Sequence, residues 1–250
     1  MVERTGPRVN PDPARNLSLL WPNLSILPAA MPVTVILFYK PYGVLSQFTR
    51  GGDWKTLADF GPFPESVYPA GRLDADSEGL LVLTDDNRIK RRITEPRFMH
   101  PRTYVVQVER VPEREAIERL RHGVMIEGKR TRVASVTLLV GEPDIPPRPV
   151  SIRFRKTVPT AWLEMTLAEG RNRQVRKMTA AVGHPTLRLI RTRIGDLSLE
   201  GLSPGAWRSL TAEEIRLLGG SQLSGSSGGS GFSGGSGGTA LPGTGSASSR

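Results

Sequence analysis

Three carboxylates fall within five positions in Gly71-Arg72-Leu73-Asp74-Ala75-Asp76-Ser77-Glu78-Gly79, directly before the apolar run Leu80-Leu81-Val82-Leu83. A tight acidic turn running into a strand-like segment holds carboxylates at the rim of a core element, a common way to present a catalytic group. Asp74 follows Leu73, so in an extended approach the two side chains point to opposite sides. Two other chemistries compete for the same residues. One is a structural turn, in which Asp and Ser satisfy their own backbone. The other is calcium binding, because Asp74-x-Asp76-x-Glu78-Gly79 with Asp85 at the twelfth position approximates an EF-hand loop. Against calcium, the twelfth position lacks the bidentate Glu, residues 80–83 read as strand, and Pro69-Ala70-Gly71 stands where a helix should precede.

The elements that must position this turn are readable in outline. Val33 to Tyr39 is apolar and β-branched, a strand that ends at the turn Lys40-Pro41-Tyr42-Gly43. Residues 46–66 are loop-like, and Gly79 to Thr84 is a buried strand. Asp85-Asp86 caps a short basic helix through Ile93. Tyr104 to Glu109 is a strand, and Pro112 opens a short amphipathic helix that stops at Gly123. Strands follow near 124–126 and 133–140, then a proline-rich connector at 142–149. Ile152 to Arg155 and Ala161 to Leu167 are further strands, and Gly170 is a turn. A helix follows over Asn172 to Val182 with Gly183 as its C′ residue. Its Arg173, Arg176, Lys177 and Ala180 share one face, and Val175, Met178, Thr179 and Val182 the opposite one. Leu187 to Ile194 alternates apolar residues with Arg, as a strand with one wet, basic face does. Thr211 and Glu214 form a capping box for a last helix ending near Leu218. Strands and helices mix without steady βαβ alternation, which predicts an α+β domain.

Composition narrows the partners. The net charge of +10 and a pI near 10.6 point to a polyanion, most simply nucleic acid. From Ser151 to Arg193 there are ten basic residues against two acidic ones, a segment charge of +8 that reads as a phosphate-binding surface. The chain has no cysteine, which removes disulfides, thiolate nucleophiles and cysteine-ligated metal. With three histidines a histidine-rich zinc site is not expected, and no apolar run approaches membrane-spanning length.

The expected organisation is a poorly ordered extension over residues 1–31, one domain over residues 32–218, and a flexible tail over residues 219–250. In that tail 22 of 32 residues are Gly or Ser, too little apolar area to fold.

The acidic turn as a whole, Gly71-Arg72-Leu73-Asp74-x-Asp76-Ser77-Glu78-Gly79-Leu80-Leu81, resembles the signature of the RsuA/RluB/RluE/RluF family of ribosomal RNA pseudouridine synthases. Lys40-Pro41-x-Gly43-Val44 is similar to the family's first motif. Arg102-Thr103-Tyr104 is similar to its Lys-x-Tyr motif with Arg in place of Lys, and Gly170-Arg171-Asn172-Arg173-Gln174-Val175-Arg176-Lys177-Met178 to its third. Order and spacing agree across roughly residues 33–218. The resemblance implies a pseudouridine synthase fold with a mixed, mostly antiparallel central sheet, flanking helices and a catalytic cleft. Residues 1–31 are too short to hold the small S4 RNA-binding domain that some members carry.

The implied reaction isomerises a uridine to pseudouridine in large-subunit (23S) ribosomal RNA. The N1–C1′ bond breaks, the uracil turns, and C5 bonds to C1′, with no cofactor or metal. The implied catalytic residues are Asp74, Tyr104 and Arg176. Asp74 is the essential carboxylate, acting at C1′, at uracil C6 or on a ribose proton. Tyr104 stacks on the uracil, and Arg176 pairs with Asp74. Arg153, Arg155, Lys156, Arg188, Arg191 and Arg193 are expected on RNA phosphates. Arg72, Arg173 and Lys177 are further RNA-binding candidates, and Lys40 and Arg171 are weaker ones. Asp76 and Glu78 are expected to fix the turn by capping amides or pairing with Arg72. A base inside folded RNA must be flipped to be reached. The implied setting is a cytoplasmic monomer acting on ribosomal RNA without a membrane. The alternative is a non-catalytic RNA-binding or ribosome-assembly protein on the same fold.

Overall fold

Val-Ile-Leu-Phe-Tyr-Lys is dense in β-branched and aromatic side chains, and in the computed structural model it forms β1 (Val35–Lys40), buried at every position. Residues 33–151 and 157–219 are described. The expected extension, the expected strand over Ile152 to Arg155 with Lys156, and the tail beyond Gly219 lie outside them.

The chain continues through β2 (Val44–Leu45), β3 (Lys55–Thr56), a 3₁₀ turn at Leu57–Phe60 and β4 (Tyr68–Pro69). Next come β5 (Glu78–Thr84) and α1 (Asn87–Thr94), whose N-cap Asp86 accepts from the Arg88 amide. After β6 (Arg102–Glu109) lies α2 (Arg114–His122). Its N-cap is Glu113, so Pro112 precedes the helix rather than opening it. The hairpin β7 (Met125–Ile126) and β8 (Lys129–Arg130) leads to β9 (Ser135–Leu138) and β10 (Thr160–Leu167). The remaining elements are α3 (Gln174–Ala181), β11 (Thr186–Ile194), β12 (Leu197–Ser198), β13 (Trp207–Ser209) and α4 (Ala212–Gly219). The Thr211–Glu214 capping box is formed in both directions.

Nine strands make one sheet in the order β13-β1-β5-β11-β6-β10-β9, with β4 paired to β5 and β12 to β11. It is two antiparallel halves joined by one parallel pairing, β5 to β11, whose register covers Glu78↔Ile190 and Gly79↔Arg191. Gly79 is required at that seam. Its φ is +108°, and a Cβ there would lie 2.6 Å from the Arg191 nitrogen and closer still to the Arg191 carbonyl oxygen. Each half has its own apolar cluster, and a further one of Tyr39, Val105, Trp162 and Ile190 crosses the seam. Leu80, Val82, Ile89, Ile93 and Leu218 join α1 and α4 to the first half, and Val106, Leu120, Met165 and Met178 join α2 and α3 to the second.

The wet, basic face expected for β11 is absent. β11 is a central strand with both faces covered, so Arg188 and Arg191 are 5% and 4% exposed and only Arg193 reaches solvent. Arg188 forks onto Glu78, with both nitrogen-to-oxygen distances 2.8 Å, and also donates to the Pro146 carbonyl. The prolines of the connector are thereby tied to the seam. Glu78 is 3% exposed and does not pair with Arg72.

Breaking a buried ion pair strands its partner's charge, at a cost of about 3–5 kcal/mol. Arg188→Met is therefore expected to lower the unfolding free energy by about that much in urea titrations. The double variant Glu78→Leu/Arg188→Met, which removes both charges, should recover most of the loss. A double variant as unstable as the single one would show that packing, not charge, sets the cost.

Candidate active site

The turn before β5 is fastened before any charge is considered. The Ser46 hydroxyl donates to the Leu73 carbonyl at 2.8 Å and accepts from the Leu73 amide at 3.0 Å. The Gly43 amide donates to the Ala75 carbonyl, and the Ser77 amide to the Asp74 carbonyl. The Gly43–Ser46 segment therefore holds the turn by its main chain, leaving the Asp74 carboxylate, 40% exposed, to point outward. It opens into a cavity of about 340 Å³ whose wall includes Leu73, Ser77, Tyr104, Leu167, Gly170 to Val175 and Leu189. That size suits a small ligand or a single nucleoside.

The partner of Asp74 is Arg173. Its Nη1 lies 3.3 Å from the Asp74 carboxylate, and the same guanidinium forks onto both Asp76 oxygens at 3.1 and 2.7 Å. Arg173 reaches them because it is the N-cap of α3 in the left-handed region, with φ +50°. That conformation is uncommon outside glycine and shortens the helix expected from Asn172. Arg176 does not pair with Asp74. It donates to the Asp76 main-chain carbonyl at 2.7 Å, lies 3.4 Å from an Asp76 carboxylate oxygen, and reaches the Thr186 carbonyl. It buttresses the turn from beneath, where burial pushes its pKa down and Asp76 pushes it up.

The three carboxylates thus have three fates: Asp74 at the cavity, Asp76 clamped by two arginines, Glu78 buried with Arg188. Burial raises the Asp76 pKa, but its hydrogen bonds from Arg173 and the charges of Arg176 and Arg173 more than offset this and hold it below the ordinary carboxylate range. With Asp76 and Glu78 committed to arginines and Glu78 to Thr84 in a strand, the calcium reading fails on this geometry. Among the described residues, no group of three or more metal-ligating side chains is assembled.

Tyr104 stands on β6, half-buried, in the wall opposite the turn. Behind it lies Arg191, whose Nε donates to the Leu80 carbonyl at 2.8 Å. Burial pushes the Arg191 pKa down, and the neighbouring Tyr104 hydroxyl opposes this. Arg191 is buried against the Tyr104 strand, so its expected phosphate contact is withdrawn. The same holds for Lys40. It is fully buried, donates to the Pro41 and Val44 carbonyls, and burial lowers its pKa to about 7.

The other expected RNA contacts divide by exposure. Arg171 donates to the Lys129 and Arg130 carbonyls and pairs with Glu169, and Lys177 pairs with Glu127 at 2.6 Å. Arg72 and Arg193 remain exposed. Arg153, Arg155 and Lys156 lie outside the described residues. Sequence reasoning missed Arg173 as the carboxylate's partner, the Ser46 latch and the Glu78–Arg188 pair. Only the spacing of Arg173 and Arg176 on one face offered a signal.

Residues 34–181 match the RNA pseudouridylate synthase family. The chain is 55% identical over 172 residues to ribosomal large subunit pseudouridine synthase E of Xanthomonas axonopodis pv. citri, covering 68% of this chain and 90% of that one. It is 49% identical to the Vibrio parahaemolyticus protein of the same name, covering 70% and 73%. To ribosomal large subunit pseudouridine synthase B of Bacillus subtilis it is 36% identical, covering 73% and 70%. A crystal structure of a pseudouridylate synthase superposes with a TM-score of 0.62 at 29% identity, covering 74% of each chain.

Because the folded-state pKa of Asp76 is depressed, its ionisation stabilises the fold above the ordinary carboxylate range and ceases to do so as pH falls through the lowered value. Asp76→Asn should therefore lower the urea midpoint at neutral pH, with the gap to the parent closing in acid. A gap independent of pH would mean that side-chain charge is not what holds the clamp.

Proposed function

The chain belongs to the RNA pseudouridylate synthase family, and from that premise we propose that it converts a uridine of large-subunit ribosomal RNA to pseudouridine with Asp74 as the catalytic carboxylate. The observation that carries the assignment is the position of Asp74. Of the three carboxylates in the turn, it alone lines the cavity that Tyr104 also lines.

The reaction is an isomerisation, so atoms balance within the substrate. The N1–C1′ bond breaks, the detached uracil turns, C5 bonds to C1′, the proton on C5 is lost to solvent, and N1 takes up one in its place. The chain's residues divide the work. A flipped uridine enters the cavity with its ring against Tyr104 and its ribose toward Asp74. Arg173, hydrogen-bonded to Asp74 and Asp76 together, orients the carboxylate. Leu167, Val175 and Leu189 add apolar surface to the cavity wall. Arg176 acts through Asp76, as a positioning residue. The proposed site of action is the cytoplasm, and among the described residues no helix is long and apolar enough to cross a membrane.

Asp74→Asn is expected to abolish tritium release from 5-tritiated uridine in ribosomal RNA while binding of the RNA persists. Turnover in that variant would remove Asp74 from the mechanism. Lost binding together with lost turnover would instead favour the non-catalytic, RNA-binding alternative for this residue's role. Arg176→Ala should cost far more activity than loss of the exposed Arg193 side chain in Arg193→Ala. Equal losses would make Arg176 an ordinary phosphate contact.

A further inference from the structure

We propose that the β7–β8 hairpin is a phosphate-gripping arm that holds the RNA strand adjoining the target uridine, through Lys129, Arg130 and Arg132. The proposal rests on the reading of the chain as an RNA-modifying enzyme and adds where the substrate backbone runs.

Several exposed cations of this chain already have anionic partners. On α1, Arg88 is paired with Asp86 and Arg91 with Glu95, and Arg97 shares Glu95. Elsewhere Arg121 pairs with Glu118, Arg208 with Glu214 and Arg216 with Glu213. On the hairpin the situation is reversed. Lys129, Arg130 and Arg132 are exposed, and among the described residues none has a carboxylate within ion-pair distance. The one nearby acid on the hairpin, Glu127, is taken up by Lys177 at 2.6 Å. Three free positive charges within four positions repel one another, so the hairpin carries an electrostatic cost that a polyanion relieves.

The arm is also fixed to the cavity. The Arg171 guanidinium donates to the carbonyls of Lys129 at 3.1 Å and Arg130 at 2.6 Å. The Arg132 amide donates to Glu169 at 2.8 Å, and Glu169 itself accepts from Gln174. Arg171, Glu169 and Gln174 all line the cavity that Asp74 faces. Main-chain bonds hold the hairpin while its cationic side chains stay unspent. That arrangement presents charge to a ligand at a set distance from the site rather than consuming it in the fold. Single-stranded or locally opened RNA, whose phosphates carry one charge per nucleotide, matches a cluster of cations along a short hairpin.

The test compares the full chain with Lys129→Gln/Arg130→Gln/Arg132→Gln, which keeps every backbone bond to Arg171. A charge-matched control carries Lys90→Gln/Arg97→Gln/Arg216→Gln on surfaces away from the cavity. Affinity for a ribosomal RNA fragment containing the target is measured against salt concentration. Each phosphate contact contributes roughly 0.7–0.9 to the slope of log affinity on log salt. The hairpin variant is expected to lose about 2–3 from that slope and to raise KM, with kcat at saturating RNA changed less than about twofold; the control should keep the parent slope. An unchanged slope in the hairpin variant overturns the proposal, and so does an equal loss in the control, which would make the effect one of net charge. If the triple variant melts early, Lys129→Glu alone serves, and it must weaken binding more than Lys129→Gln. A parent protein that neither binds ribosomal RNA nor forms pseudouridine would instead overturn the enzymatic reading itself.

Discussion

The parallel seam between β5 and β11 is the constraint on which the rest of the molecule depends. Every other pairing in that sheet is antiparallel, so a two-residue register joins two half-sheets that also share an apolar cluster of Tyr39, Val105, Trp162 and Ile190. The seam carries Gly79, where no side chain fits, and Glu78, whose charge is matched across it by Arg188. β5 enters the sheet straight from the acidic turn. The same residues that join the halves therefore fix the carboxylate at the mouth between them. Asp74 comes from one half, and Tyr104 with the α3 arginines comes from the other. A change that lets the seam slip moves the two walls of the site relative to each other.

That geometry explains why one short turn carries three carboxylates. Each faces a different environment over a few ångströms of chain. Glu78 has entered the sheet, where an unpaired charge is unaffordable, and it meets a forked arginine. Asp76 lies under the turn and gathers Arg173 and Arg176, joining the start of α3 to the turn. Asp74 alone keeps a side open. The arginines then act in tiers: Arg173 touches the candidate catalytic group, Arg176 holds the residue beside it, and Arg188 holds the strand beneath.

Much of this was legible in the sequence, and the failures share a cause. β1, β5, β6 and β10 were readable because their composition is decisive, and α1 and α4 because Asp86, Thr211 and Glu214 announce their caps. The family signature located the acidic turn. What could not be read was which arginines are inside. Leu-Arg-Leu-Ile-Arg has the alternation of a half-wet strand, yet β11 is central, and its arginines are satisfied by Glu78 and by the Leu80 carbonyl. Whether a strand is central depends on long-range pairing that local periodicity does not encode. The Asp74–Arg176 pairing failed for a similar reason. Helical spacing put Arg173 and Arg176 on one face correctly, but the left-handed turn at Arg173 decides which reaches the carboxylate.

The same lesson alters the meaning of the net charge of +10. Read along the chain, the basic segment beyond Ser151 is a continuous RNA surface. In space, Arg176, Arg188 and Arg191 are structural, and Arg171 and Lys177 are spent on the hairpin and on Glu127. Among the exposed cations without a carboxylate partner, Arg72 lines the cavity and Lys129, Arg130 and Arg132 cluster on the hairpin lashed to its wall. An array of this kind attracts a polyanion most strongly where the chemistry is, whereas a uniformly basic surface would hold it anywhere. Burying arginine in the framework thus does two things at once: it locks the halves of the sheet together, and it leaves the remaining cations to define where a strand of RNA can lie.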